Sequence, residues 1–281
     1  MRYQLALIEA GRGNAEAVEA LTDDIVAVSV PQGVAAGEMM LCQPRALLAL
    51  AVGDHETAYR HCSRVSPPGH FPAYVPWALW SVLDLVEAAV MTGRIREARA
   101  HVAAAVKADI GALSPRIALL VAGAAALAAT DEEAQKLFEQ ALALPDTNRY
   151  AFENARIRLA YGQWLLDQGQ NASAREQLGR ARGTLERLGA EPWAKRAREA
   201  CRLTGATVDA RPEADERGLT PRELQIAKLA ATGKSNKQIA AELFVLQRTV
   251  STHLYNIFPK LGITSRAALR DALRAVEEHG A

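Results

Sequence analysis

A turn that recurs five times, each time with an alanine at nearly the same distance after it, restricts the first two hundred residues more than any other feature of the chain. The turns fall at Gly11-Arg12, Gly53-Asp54, Gly93-Arg94, Thr130-Asp131 and Gly169-Gln170, and the alanines about five residues on are Ala15 or Ala17, Ala58, Ala98, Ala134 and Ala174. Successive turns stand about 37 to 42 residues apart. Each unit reads as two helices around a tight turn. A single pair cannot bury its own apolar faces, so neighbours must stack into a solenoid. The pattern predicts a pair over residues 77–91 and 95–108, a second over 150–166 and 172–188, and a closing helix over 191–203 led by Trp193. Pro67-Pro68-Gly69, Leu113-Ser114-Pro115 and Pro145-Asp146 break the chain between pairs. In the first 45 residues Pro31, Gly33 and Gly37 interrupt the pattern and the repeat phase is lost.

Composition agrees with helices and argues against several functions. Hydrophobic residues make up 49% of the chain, aromatic ones 5%, and β-branched runs are scarce, so the expected fold class is all-α. The longest apolar run, Ile117 to Ala129, is shorter than the ~18 residues a membrane span requires and reads as a buried helix. Met1-Arg2-Tyr3 leads straight into an amphipathic helix, so no signal peptide is expected. The three cysteines, Cys42, Cys62 and Cys201, form no C-x-x-C pair, which suits a reducing cytoplasm. His55, His61, Cys62 and His70 match no standard zinc spacing, so neither a metal nor a cofactor is expected. No serine sits in a G-x-S-x-G elbow, and the carboxylates lie at helix-surface spacings; the chain does not read as an enzyme.

Residues 219–273 carry a different pattern. Thr220-Pro221-Arg222-Glu223 opens a helix with a capping box and proline at its first position, and Gly233 ends it. Ser235 with Gln238 forms a second capping box for a short helix. After Phe244-Val245-Leu246 a third helix begins, and Gly262 ends it before Thr264-Ser265-Arg266 opens a fourth. In the third helix Val250, Leu254, Ile257 and Leu261 recur at helical period as a dry face. A wheel at about 100° per residue puts Arg248, Ser251, Thr252 and Tyr255 opposite, a polar face without an acid. Such a helix can lie in a DNA major groove. Charge supports this. Residues 217–270 hold nine Lys or Arg against Glu223 and Glu242, a surplus of seven, and with a net charge of +1 the rest of the chain is about six negative.

Leu219-Thr220-Pro221-Arg222-Glu223, the run Ser235 to Ala240, the run Arg248 to His253, and Lys260-Leu261-Gly262-Ile263 together resemble the LuxR-type (GerE-like) helix-turn-helix domain. The resemblance implies base contacts from Ser251, Thr252 and Tyr255. Arg248, at the helix start, can reach a base or a phosphate. Asn236, Lys237, Thr249, Asn256, Lys260 and Arg266 suit phosphate contacts. It also implies pairing of two domains through the last helix, whose apolar stripe is Leu269, Ala272, Leu273 and Val276. Two positions depart from the family pattern. Leu246 stands where a capping side chain is usual, and Pro259 lies near the end of the reading helix, where a bend is expected.

The repeat half is similar to the tetratricopeptide-like segment just upstream of the DNA-binding domain in large ATP-binding LuxR-family regulators. Gly233-Lys234-Ser235 ends like a phosphate loop, but G-x-x-x-x-G-K-[ST] needs glycine at Lys228, so nucleotide binding there is not expected. The chain thus divides into a tetratricopeptide-like repeat domain (1–203), a linker (204–218) rich in Gly and charge, and a helix-turn-helix domain (219–281). The expected function is sequence-specific regulation of transcription on double-stranded DNA, as a homodimer. The repeat half would bind a small-molecule inducer or a protein partner on its concave surface, away from any membrane. The competing reading is a repeat-protein adaptor whose helix-turn-helix no longer reads an operator. Operator, inducer and sign of regulation are not written in the sequence.

Overall fold

A computed structural model describes residues 1–29, 35–72, 75–204, 218–243, 245 and 247–277. Every regular element among them is a helix. The repeat half begins with α1 (Arg2–Arg12) and α2 (Ala15–Ser29), followed by α3 (Ala35–Val52) and α4 (His55–Val65). Next come α5 (Pro76–Trp80), α6 (Val82–Met91) and α7 (Ile95–Lys107), then α8 (Pro115–Ala128) and α9 (Asp131–Ala143). The last pair, α10 (Ala151–Asp167) and α11 (Asn171–Arg187), is covered by α12 (Glu191–Leu203).

The pair logic follows from the turns. Gly53, Gly93 and Gly169 all have positive φ, the left-handed conformation that lets a helix end sharply. Ala58, Ala98 and Ala174, five residues later, are fully buried, and Ala134 takes the same place after Thr130. The first turn differs from expectation. α1 runs through Gly11, and the left-handed residue is Gly13 (φ 81°). The buried position of that pair is accordingly Val18, not Ala15 or Ala17. The helix expected over 77–91 is broken at Ser81, whose buried hydroxyl bonds back to the carbonyl of Ala78. Small residues set the crossings: a Cβ on Gly162 would stand 2.5 Å from the Leu178 side chain, so α10 and α11 need glycine there.

The two ends of the solenoid meet. A Cβ on Gly13 would lie 2.4 Å from Pro192 at the start of α12, and Gly11 faces the Phe152 ring of α10. The inner helices therefore enclose a narrow space, and charges fill its middle. Arg156 donates to Asp84 and to Glu87, both at 2.7 Å, and Arg196 stands 3.7 Å from Glu87. All four side chains are buried, and both guanidinium groups lie over the Trp193 ring, at 4.7 and 4.8 Å. This cluster joins α6, α10 and α12. What remains on one side is a cavity of about 240 Å³ floored by Leu47, Leu120, Trp80 and Phe152, with Arg12 and Arg116 among its lining.

Two buried histidines make this half acid-sensitive. Burial pushes the pKa of His55 and of His101 down to about 4. His101 accepts from the Gly69 N–H at 3.3 Å through Nδ1, and its ring lies tilted 4.5 Å from that of Phe71. Both imidazoles stay neutral when folded but gain a proton when unfolded, so the unfolded state binds more protons between about pH 6.5 and 4. Stability is complete above that window and falls as the pH drops through it, by on the order of 3 kcal/mol per histidine at full titration. Melts at pH 7 and 5 should show the loss, and His101→Gln should lose less on acidification than wild type. An equal acid slope in both proteins would contradict it.

A second apolar core is built from Leu219, Ile226, Ala230, Ile239, Val250, Leu254 and Ile257, with Leu269 and Leu273. Its helices are α13 (Pro221–Ala231), α14 (Asn236–Leu243), α15 (Gln247–Lys260) and α16 (Leu269–Glu277). Thr204 is fixed to the repeat half, its carbonyl accepting from Arg175 at 2.8 Å. The rest of the linker up to residue 217, Leu246, and the side chains of Arg248 and Val276 lie outside the described residues.

Candidate nucleic-acid interface

Local chemistry fixes the helix-turn-helix. The Thr220 hydroxyl accepts from the Glu223 N–H (3.3 Å), and the Glu223 carboxylate accepts from the Thr220 N–H (2.8 Å). Ser235 and Gln238 repeat the arrangement at 3.2 and 2.8 Å, giving α14 its start. Gly233 (φ 88°) carries the chain from α13 into that box. Val250, Leu254 and Ile257 are buried, so α15 is held by the face the sequence period selects. Pro259 lies inside α15, one residue from its end.

The polar face is only partly free. Tyr255 is 78% exposed, and Ser251, Thr252 and Asn256 are exposed as well, while Thr249 is half-buried. Ser251 accepts from Asn236 at 3.0 Å and donates to the Gln247 carbonyl at 3.1 Å. Asn236 in turn accepts from Arg266 at 2.5 Å, and Arg266 also donates to the Lys234 carbonyl. Arg266 therefore ties the entry of the last helix to the start of α14, and this chain of bonds sets the position of α15.

Other candidates are also engaged. Lys260 binds both oxygens of Glu223, at 2.7 and 2.8 Å, joining the end of α15 to the start of α13. Burial opposes the charge on Glu223, yet Lys260 and the Thr220 cap hold its carboxyl below the ordinary value. Lys237 donates to Glu56 of the repeat half at 2.6 Å. Leu269 and Leu273 are buried in the core of their own domain and are not free to face a second copy; Ala272 is half-buried. That corrects the expectation for those two residues, because the inner half of the stripe is needed to pack α16. Arg222, which the sequence marked only as part of a helix start, is half-buried beside Asp167 of the repeat half, with burial pushing its pKa down. No sequence signal distinguished it from an ordinary surface arginine.

The arrangement offers hydroxyls, an amide and a phenol along one side of a helix, braced by a short helix whose first residue, Asn236, bonds Ser251. No helix among the described residues is long and apolar enough to cross a membrane.

Comparison with known proteins places this geometry. Residues 217–272 match the family described as bacterial regulatory proteins, luxR family. A protein of Mycobacterium bovis whose name describes an HTH-type transcriptional regulator is 48% identical over 61 residues, covering 22% of this chain and 7% of its own. The nitrate/nitrite response regulator protein homolog of Haemophilus influenzae is 50% identical over 50 residues, 18% of this chain and 24% of that protein. Transcriptional regulatory protein LiaR of Bacillus subtilis is 52% identical over 48 residues, 17% and 23% respectively. The chain thus spans from under a tenth to about a quarter of the length of these curated relatives. No solved structure matches the chain. With its two capping boxes, buried α15 stripe and matched residues, the C-terminal part of this chain is a helix-turn-helix domain of the luxR family.

Proposed function

We propose that the protein is a sequence-specific DNA-binding regulator of transcription, with residues 219–281 as its reading head and residues 1–203 as the half that receives the signal. The observation that carries the reading is α15 itself: a helix anchored by Val250, Leu254 and Ile257 that presents Ser251, Thr252, Tyr255 and Asn256 outward, with no acid among them. Thr252 and Tyr255 are the base readers, with Ser251 beside them and Arg248 at the helix start. Asn256 and Lys237 suit the flanking phosphates, and Thr249 the edge of the groove. Lys260 and Arg266 have structural partners, so their share of phosphate binding is secondary to bracing the head. The surplus of seven positive charges over residues 217–270 supplies the non-specific attraction.

For the repeat half, the cavity of about 240 Å³ bounded by Trp80, Phe152 and Arg116 supports a small-molecule inducer. Its apolar floor and guanidinium neighbours suit a compact molecule with an aromatic or aliphatic body. Pairing of heads on DNA would use the outer part of α16 and residues beyond it.

The test is selection of duplexes from a random pool by the full chain, then fluorescence anisotropy across a salt series. The expected result is one enriched, roughly two-fold symmetric site, with log K falling by about 0.9 per phosphate neutralised for each tenfold rise in salt. Failure to enrich any site would favour the adaptor reading.

A further inference from the structure

One edge of the α15 face assigned to DNA, at Thr252 and Asn256, borders the repeat half. A cleft of about 190 Å³ runs between them, with Thr249, Thr252, His253 and Asn256 on one wall. Asp131, Trp164 and Asp167 stand on the other. Around it lie specific contacts. Lys237 donates to Glu56 at 2.6 Å, and Glu56 is also held by Arg94 at 2.9 Å. These two partners keep the Glu56 carboxyl below its ordinary value. His253 Nε2 stands 3.8 Å from Asp167 Oδ1. Gln247, at the start of α15, lies against the turn at Gly93. A second seam runs beside the first, where Arg222, Lys228 and Glu242 of the head meet Gln163, Arg196 and Glu199 across a cavity of about 300 Å³.

We propose that the acidic rim formed by Glu56, Asp131 and Asp167 is a docking surface for the DNA-reading face of this chain's own head, and that docking and DNA binding exclude one another. The proposal rests on the DNA reading given above. A helix with its side chains is about 10–12 Å across, and the major groove is about 12 Å wide. A reading helix with a second protein surface along one edge cannot enter the groove, even though Tyr255 on its other edge is exposed. The chemistry points the same way. The rim presents carboxylates to Lys237 and His253, where DNA would present phosphates. Because head and rim share one chain, the effective concentration is of millimolar order, so a contact too weak to hold two separate molecules suffices. Apparent affinity for DNA then falls by the fraction of molecules that are open. A signal that separates rim from head would raise DNA binding without touching α15.

The experiment compares the full chain with E56K/D167N, using a labelled duplex of mixed sequence at low salt. Amide hydrogen exchange over residues 247–257 is measured in parallel without DNA. A control, E176K/D24N, makes the same change in net charge on the outer helices α11 and α2, at exposed residues away from the rim. We expect E56K/D167N to bind about tenfold more tightly, within the range usual for coupled sites, with faster exchange along α15. The control should change neither to that extent. Unchanged exchange in E56K/D167N, or an equal gain in the control, would overturn the docking proposal. Faster exchange with no DNA binding by any protein would leave the contact standing but remove the DNA reading, and with it the claim that the contact masks a DNA site.

Discussion

Replacing Arg156 by Met will cost the repeat half about 3–5 kcal/mol. Arg156 reaches both Asp84 and Glu87, at 2.7 Å each, and its side chain is 4% exposed. Met fills much of the same volume over the Trp193 and Phe152 rings. What it removes is the charge, and two buried carboxylates are left without it. Arg196, at 3.7 Å from Glu87, can offset part of one of them. Burial already raises the pKa of Asp84 despite Arg156. Without that partner the carboxyl should take up a proton, and doing so costs stability at neutral pH. The residues come from α6, α10 and α12, so the loss should be felt across the closure of the solenoid.

Urea unfolding followed by circular dichroism reads this directly. The triple change Arg156→Met/Asp84→Asn/Glu87→Gln should recover part of the loss, because it removes the unpaired charges together with the cation. A single-mutant cost below about 1 kcal/mol would mean that water or Arg196 already satisfies the carboxylates, contrary to this account.

The contrast between this cluster and the turns shows what a sequence can display. Gly53, Gly93 and Gly169 were legible because a left-handed helix end favours one residue type, and the alanine that follows must fit a close crossing. Gly11 misled because Gly13 stands two residues on, and nothing local says which of the two leaves the helix. The cluster itself was invisible. Asp84 and Glu87 look like the polar face of an amphipathic helix, yet every residue from Val82 to Val90 is buried. Their partner lies about seventy residues away, on α10. Periodicity reports burial against one neighbour; α6 is enclosed on all sides, so its carboxylates had no exposed face to occupy.

The head repeats the lesson at smaller scale. Both capping boxes and the dry stripe of α15 were legible, since each is a rule about residues three or four apart. The roles of Lys260 and Arg266 were not. A cation near a reading helix can serve phosphate or its own fold, and only distance separates the two. The same holds for Leu269 and Leu273, where an apolar period fits a partner molecule and a home core equally well. The contact of Lys237 with Glu56 joins residues 181 apart, beyond the reach of any local pattern.

The second large effect is expected at Thr252. It is exposed on α15, about 60° around the helix from Tyr255. Thr252→Glu sets a carboxylate where the account places the base edges and the most negative part of the groove. Like charges facing each other across an interface cost several kcal/mol, and lost base readout adds about 1–3. DNA affinity should therefore fall by at least about 100-fold, or roughly 2.7 kcal/mol. The change cannot act by locking the head down. Thr252 also lines the cleft facing Asp131 and Asp167, so a glutamate there would repel the acidic rim and favour the open form. Occlusion and direct readout thus predict opposite signs for the same substitution.

Anisotropy of the duplex recovered by selection, titrated with wild type and with Thr252→Glu at one salt concentration, is the measurement that tests the central claim. A loss of about 100-fold or more, with an unchanged melting profile, is what the account requires. Binding that survives the glutamate, or improves, would mean that α15 does not enter DNA by this face.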